Sequence, residues 1–397
     1  MKILVLNCGS SSIKYKLYDM DDKSVIAAGG IEKVGLDDSF LKMKAPVAET
    51  ITTPVPTHDV GVELIFNMLT DAEKGVIKNL SEIDAVGHRI AHGGKFTESR
   101  ILTPEVLEEW KKYEDLAPLH NPAHLKGINA VTAKLPEVKQ VGVFDTSFHQ
   151  TMPDYAYNYA LPYSICEQYG IRRYGFHGTS HRYVLARAAE IYGFAPKDKN
   201  VITCHIGNGA SIAAIKGGKC VDTTMGLTPL EGLIMGTRTG DIDPSAVLFL
   251  QEKLGLDTKQ ASDLLNKQSG MLGITGKYSD MREILAAAAE GDPRCRLAVN
   301  MYNYRIRKYV CAYAGIMGGV DYIVFTAGVG ENQYEIRGGS MAGLEHMGII
   351  IDPAANKANR SQEGIISTPD SKVTVCVIPT DEELLVAQDT MDKVIDH

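Results

Sequence analysis

Apolar residues fall in short runs that stop at small-residue turns, and the stretches between the runs have helical spacing. Residues 3–6 and 13–18 predict two strands about the turn Gly9-Ser10-Ser11-Ser12. The same grammar returns at residues 201–206 and 212–215, about Gly207-Asn208-Gly209-Ala210-Ser211. Strands alternating with helices specify an α/β architecture, and a recurring strand–turn–strand unit points to two related halves.

Helix starts are marked by capping residues. Thr103-Pro104-Glu105 supplies a cap, a first-turn proline and an early acid ahead of Val106, Leu107 and Trp110. Thr179 or Ser180 is expected to cap a helix that ends before Gly193, and Ser279 another; residues 292–317 read as one long helix with a tyrosine-rich face. Thr380-Asp381-Glu382-Glu383 reads as a capping box. Halving the chain, together with the repeat, sets a boundary near residues 146–152. The first domain is then 1–147 and the second 148–383, with a last helix, 384–397, packing back on the first.

Length agrees with that division, since 397 residues suit two cores of about 150 to 200 residues each. A formal net charge of −8 without any Lys/Arg cluster argues against nucleic acid or an anionic membrane as partner. The apolar run after Met1 is too short for a signal peptide and no segment is long enough to span a bilayer, which makes a cytoplasmic location the expectation. Seven scattered cysteines with no C-x-x-C pair suggest reduced thiols, and Cys8 and Cys204 read as small core residues.

Phosphate-binding turns are the candidate chemistry. None of the Gly-Lys pairs has Walker spacing, and neither Gly207-x-Gly209 nor Gly328-x-Gly330 reaches the third glycine of a dinucleotide fingerprint. What remains is three turns placed directly after strands: residues 7–12, 205–209 and 326–332. Each can aim backbone N–H groups at an oxyanion, because glycine permits the backbone angles of an anion nest. Two of the three sit in matching positions of the halves. The histidine pairs His120/His124 and His177/His181 have the i, i+4 spacing of a zinc helix, but Asn121 and Gly178 stand where that motif needs glutamate.

Six strings make the pattern specific. They are Asn7-Cys8-Gly9-Ser10-Ser11-Ser12-x-Lys14, Gly87-His88-Arg89-x-x-His92-Gly93-Gly94 and Phe144-Asp145-Thr146-x-Phe148-His149, followed by residues 173–181, Met235-Gly236-Thr237-Arg238-x-Gly240-Asp241 and residues 325–332. In this order, and over the whole chain, they resemble the acetate kinases. The resemblance implies two ribonuclease-H-like domains, a duplicated fold of the sugar kinase, Hsp70 and actin superfamily, with a nucleotide cleft between them. It also implies ATP/ADP with Mg2+, Mn2+ being a possible substitute, acetate or acetyl phosphate as the other substrate, a homodimer, and a place in acetyl-CoA biosynthesis.

Residue roles follow from the resemblance and from the demands of phosphoryl transfer, which are alignment and positive charge on the transferring oxygens. Arg89 is assigned to the carboxylate and Arg238 to the transferring group, each with a planar fork suited to such oxygens. His177 is placed to donate to developing phosphoryl charge, with His120 near acetyl phosphate and His205 near the nucleotide phosphates. His88, His92, His124, His149 and His181 are read as structural. Asp145 is read as a catalytic carboxylate that organises the metal and its water, since acetate is already ionised at neutral pH and needs no base. Asn7 and Glu382 are the expected metal ligands. The acyl pocket falls to Ala91, Leu119, Phe176 and Pro229, and nucleotide contacts to Lys14, His205, Ile206, Gly207, Asn208, Gly209, Asp280, Met281, Arg282, Gly328, Val329, Gly330, Glu331 and Asn332. Two other readings stay open: a propionate or butyrate kinase, and a nucleotide-driven switch ATPase of the same superfamily.

Overall fold

The computed structural model describes residues 1–117 and 120–396 and divides into two compact units. Unit 1 is Met1–Ser147 plus the segment that starts at Asp381; unit 2 is Phe148–Thr380.

Among the described residues unit 1 has eight strands: β1 (Lys2–Cys8), β2 (Ser12–Asp19), β3 (Ser24–Glu32), β4 (Phe40–Ala45), β5 (Glu49–Thr52), β6 (Ala85–Ile90), β7 (Arg100–Ile101) and β8 (Lys139–Phe144). Their order is β5-β4-β3-β2-β1-β6-β8-β7. β1, β2 and β3 form an antiparallel meander, while β1, β6 and β8 run parallel. Unit 2 has β9 (Asn200–Ile206), β10 (Ala210–Lys216), β11 (Lys219–Thr223), β12 (Tyr322–Thr326), β13 (Gly364–Ile365) and β14 (Thr374–Val377), ordered β11-β10-β9-β12-β14-β13. Here too a three-stranded antiparallel meander continues through β9 into the parallel strands β12 and β14. The sheet centre is therefore the same ribonuclease-H-like arrangement twice.

Burial on both faces explains why the central strands read as unbroken apolar runs. Leu4 and Leu6 pack with Ile65, Phe66 and Leu69 of the helix His58–Leu69, whereas Ile3 and Val5 pack with Val386 and Ala387 of the helix Glu382–Ile395. In unit 2, Ile202, Cys204 and Ile206 meet Tyr302, Ile306, Val310 and Tyr313 of the helix Pro293–Met317, and Val201 meets Val184, Leu185 and Ala188 of the helix Gly178–Tyr192. Gly87 is required on β6 because any Cβ there would run into Thr390 Oγ1 and Val386 Cγ1 of the last helix.

Three expected caps move by one to three residues. The helix Gly178–Tyr192 starts from His177, whose left-handed φ of 56° turns the chain into it, and not from Thr179 or Ser180. Asp280, not Ser279, accepts the N–H of Arg282 in front of the helix Met281–Ala289. Asp381 accepts the N–H of Leu384, and Glu383 turns to Lys16 at 3.5 Å instead of closing a capping box from Thr380.

Candidate active site

In unit 1 three parallel strands deliver the polar residues. Asn7 lies near the carboxyl end of β1, Arg89 near that of β6, and Asp145 directly after β8; in open α/β sheets this edge is where ligands bind. The Asp145 N–H donates to the Ile90 carbonyl at 2.9 Å, which fixes its carboxylate beside the Arg89 fork. Arg89 Nη2 donates to Asp145 Oδ2 at 2.6 Å and Nε to Oδ1 at 3.3 Å. Glu382, the first residue of the last helix, adds its Oε2 3.4 Å from Arg89 Nε. Burial pulls the Arg89 guanidinium down, but the charges of Asp145 and Glu382 outweigh it and the net shift is upward. Glu382 is itself shifted up, first by burial and then by Asp145 and Glu383, against the opposing pull of Arg89 and Lys14. Lys14 sits opposite Asn7 in the β1–β2 register, with its side chain exposed.

Around this centre His88, His92 and His124 are buried, and burial holds each below the usual imidazole range. His124 Nε2 accepts the Ala91 N–H at 3.2 Å, and burial, helped by Arg89, pushes it down to about 3. His88 Nε2–H donates to Gln140 Oε1 at 2.8 Å, and burial lowers it, like His92, to about 4. His120 stands half-buried at the cap of the helix Asn121–Lys134. Leu119 lies outside the described residues, and Ala91 is half-buried just past β6.

Unit 2 holds a cavity of about 660 Å³, within the usual range for a small-molecule site. Its wall gathers Gly207 and Asn208 from the β9–β10 turn, Asp280, Met281 and Arg282 from one helix start, and Gly328, Val329 and Asn332 from the helix Ala327–Asn332. These came from three separate stretches of sequence. Gly236, Ser279, Met271, Tyr302 and Gln333 line it as well and carry no motif of their own. His205, Ile206, Gly209, Gly330 and Glu331 do not line it. Ile206 is core, and Glu331 uses its carboxylate to accept from the Ser361 hydroxyl at 2.7 Å and the Thr380 N–H at 3.2 Å. The fully buried Arg337 donates to the Gly330 and Glu331 carbonyls at 2.9 and 2.8 Å, holding the end of that helix.

Beside the Gly207–Gly209 turn stand Arg238 and His177. Arg238 Nη1 donates to the Pro229 carbonyl at 3.2 Å, and among the described residues no carboxylate pairs with the guanidinium. Burial lowers its pKa, so a charge is held in the protein without a counter-ion. A Cβ on Gly209 would lie 3.5 Å from His177 Nε2 and 3.6 Å from Arg238 Nη1, which puts both nitrogens around one glycine. The His177 ring stacks on His205 with centroids 4.1 Å apart, and Phe176 is buried in the unit 2 core. His205 Nδ1 is 2.7 Å from Ser180 Oγ, and His149 Nε2 is 2.8 Å from the Phe176 carbonyl.

Burial keeps Cys8, raised to about 12, and Cys204 as thiols, and neither is a nucleophile near neutral pH. Among the described residues no group of three His, Cys, Asp or Glu side chains is arranged to hold a metal.

Ser211, which bridges two imidazoles, was read only as the end of a turn and carried no role of its own. A hairpin argument could have found it, because a Gly207-Asn208-Gly209 loop with 206 paired to 210 sets 211 opposite His205.

The doubled sheet is the sugar kinase and actin-like fold of carboxylate kinases of known structure. Within that class the chain belongs to the acetokinase family, whose model matches residues 2–388. It is 64% identical to acetate kinase of Bacteroides thetaiotaomicron over 395 residues, 99% of each chain. The crystal structure of Porphyromonas gingivalis acetate kinase superposes with a TM-score of 0.96 at 55% identity, over 99% of each chain. A propionate kinase from Francisella tularensis has a TM-score of 0.92 at 41% identity, covering 98% of this chain and 99% of that one.

Proposed function

We propose that the protein is an acetate kinase, moving the γ-phosphoryl group of ATP directly and reversibly to acetate to give acetyl phosphate and ADP. The observation that carries this reading is Arg238: a guanidinium without a carboxylate partner among the described residues, next to His177 and to a glycine turn that lines the nucleotide-sized cavity. In a loose transition state the equatorial oxygens carry the charge, and preorganised donors act where it develops. Arg238 and His177 Nε2 are those donors. The cavity would take ADP, with Asp280 to Arg282 and Gly328 to Asn332 on the nucleoside side.

Arg89 would orient the carboxylate. Acetate arrives ionised, so Asp145 has no proton to remove and acts by holding the Arg89 fork. Divalent metal fits unit 1, because Asp145 and Glu382 face one guanidinium and Glu382 is shifted upward there by burial and by neighbouring carboxylates. We take the ion to be Mg2+, with Mn2+ as substitute, held by Asn7 and Glu382. Bound there it supplies charge neutralisation for the phosphate oxygens. We further propose a cytosolic homodimer. No helix among the described residues is long and apolar enough to cross a membrane, and the cysteines are unpaired and mostly buried.

The test is to incubate enzyme, Mg-ATP and hydroxylamine with formate, acetate, propionate or butyrate and to measure acyl hydroxamate. Acetohydroxamate is expected; steady ATP hydrolysis without hydroxamate would favour the switch ATPase instead. A second reading, propionate kinase, is favoured by one residue, Ala91, whose small side chain leaves room in the acyl pocket. It is decided in the same assay.

A further inference from the structure

Ser211 Oγ sits 2.9 Å from His177 Nδ1 and 2.8 Å from His181 Nε2. His181 Nδ1 in turn lies 2.7 Å from Thr203 Oγ1. Thr203, His181 and Ser211 are all fully buried, so each hydrogen in this chain must find its acceptor inside the protein.

A hydroxyl has one hydrogen and can donate to only one of its two imidazole neighbours. Two orders satisfy Ser211. In the first, the Thr203 hydroxyl donates to His181 Nδ1, His181 Nε2–H donates to Ser211, and Ser211 donates to His177 Nδ1. The remaining proton of neutral His177 is then on Nε2. In the second, every arrow reverses and His177 Nε2 is bare.

Thr203 chooses between them. Among the described residues its hydroxyl has no side-chain or backbone partner besides His181 Nδ1. The second order would make it accept from His181 and leave its own hydrogen without an acceptor, which a buried donor tolerates poorly. The first order uses every hydrogen.

We propose that Ser211 is a positioning residue, and that the Thr203–His181–Ser211 chain fixes His177 in the tautomer with its proton on Nε2, facing Gly209 and Arg238 Nη1. His177 then offers an N–H to the same space as the guanidinium. The importance of this for catalysis rests on the kinase reading; the tautomer itself does not.

The experiment is nitrogen NMR of enzyme labelled with ¹⁵N-histidine, above the histidine pH range, on wild type, Ser211→Ala, Ser211→Thr and Thr203→Val, with His177→Gln for assignment. Wild type should show a protonated Nε2 and a bare Nδ1 on His177. Ser211→Ala should show both tautomers and lower kcat by about tenfold with the KM for ATP within about twofold, since one orienting hydrogen bond is removed. Ser211→Thr, which keeps the hydroxyl, should restore the wild-type signal. Thr203→Val, which removes the far hydroxyl at nearly constant shape, should mix the tautomers even if Ser211→Ala does not fold. A proton on Nδ1 in wild type overturns the proposal, as does a protonated Nε2 that persists in every folded variant lacking one of the two hydroxyls. Wild type that forms no acyl hydroxamate would overturn the kinase reading and leave the tautomer result standing.

Discussion

Arg89 Nη2 meets Asp145 Oδ2 at 2.6 Å, and the backbone of Asp145 is tied to Ile90, the residue after Arg89. The guanidinium assigned to the substrate thus already faces two carboxylates, Asp145 and Glu382, and an incoming acetate would be a third anion.

Acetate binding should therefore need the dication. Calorimetric titration of acetate into enzyme with ADP should give an affinity at least about tenfold tighter with magnesium than with chelator, a modest yield for opposite charges in a half-buried site. Equal affinities would refute the charge argument. Arg89→Ala should mainly raise the KM for acetate and leave that for ATP within about twofold.

Glu382→Gln keeps the size of the side chain and deletes its charge at the first position of the last helix. Activity should fall and recover in part as magnesium is raised. Normal magnesium dependence with a lower melting temperature would instead mean that Glu382 serves its helix end.

Gly209→Ala should separate space from chemistry. Its φ is not in the left-handed region, and the new methyl would meet His177 Nε2 and Arg238 Nη1 at 3.5 and 3.6 Å, ordinary contact distances. The variant should fold normally, with kcat down by about tenfold or more because the methyl occupies the space between the two proposed transition-state donors. Arg238→Ala should lower kcat by about 10² with little change in nucleotide affinity. Unchanged kcat in both would remove this corner from the mechanism.

Ala91→Val should raise the ratio of kcat/KM for acetate to that for propionate, since burying or excluding one methylene is worth about 0.8 kcal/mol and such pockets discriminate by about 1 to 3 kcal/mol. The Ala91 N–H is held by His124, so the backbone should stay put when the side chain grows. A ratio that does not rise rules out the pocket assignment.

Acid should destabilise unit 1 before its carboxylates protonate. His88 and His92, at about 4, and His124, at about 3, lie below the unfolded value of about 6.5, so the unfolded chain takes up protons first. Their stabilisation is fully present above about pH 6.5 and is lost as pH falls toward about 4, at no more than about 1.4 kcal/mol per pH unit for each. His88→Gln should lose less melting temperature than wild type between pH 7 and 5. An equal loss would show that His88 titrates normally in the folded protein.

The legible parts of the molecule were those where one residue type has one use. Glycine turns after doubly buried strands announced both hairpins, and two of the three turns announced part of the cavity wall. Capping was legible only to within a few residues, because Ser279 and Asp280 are both good caps and backbone geometry decides between them. The Arg89–Asp145 pair was not legible as a pair: the two are brought together by the parallel register of β6 and β8, which no local pattern encodes. Ser211 was hidden for a similar reason, since a serine in a strand has no periodicity of its own. Motif membership also misled in one direction: Ile206 and Glu331 sit inside phosphate-loop strings but serve the core and the loop's own anchoring.

The helix Glu382–Ile395 has a consequence for how the protein comes into being. Val386 and Ala387 cover the face formed by Ile3, Val5, Val141 and Val143, yet follow every residue of unit 2 in the chain. On the ribosome, the strands made first must wait with that apolar face bare while unit 2, an uninterrupted piece, emerges and can fold. Unit 1 is finished last, and the same late segment delivers Glu382 to Arg89, so that ion pair and the closing of the core arrive together.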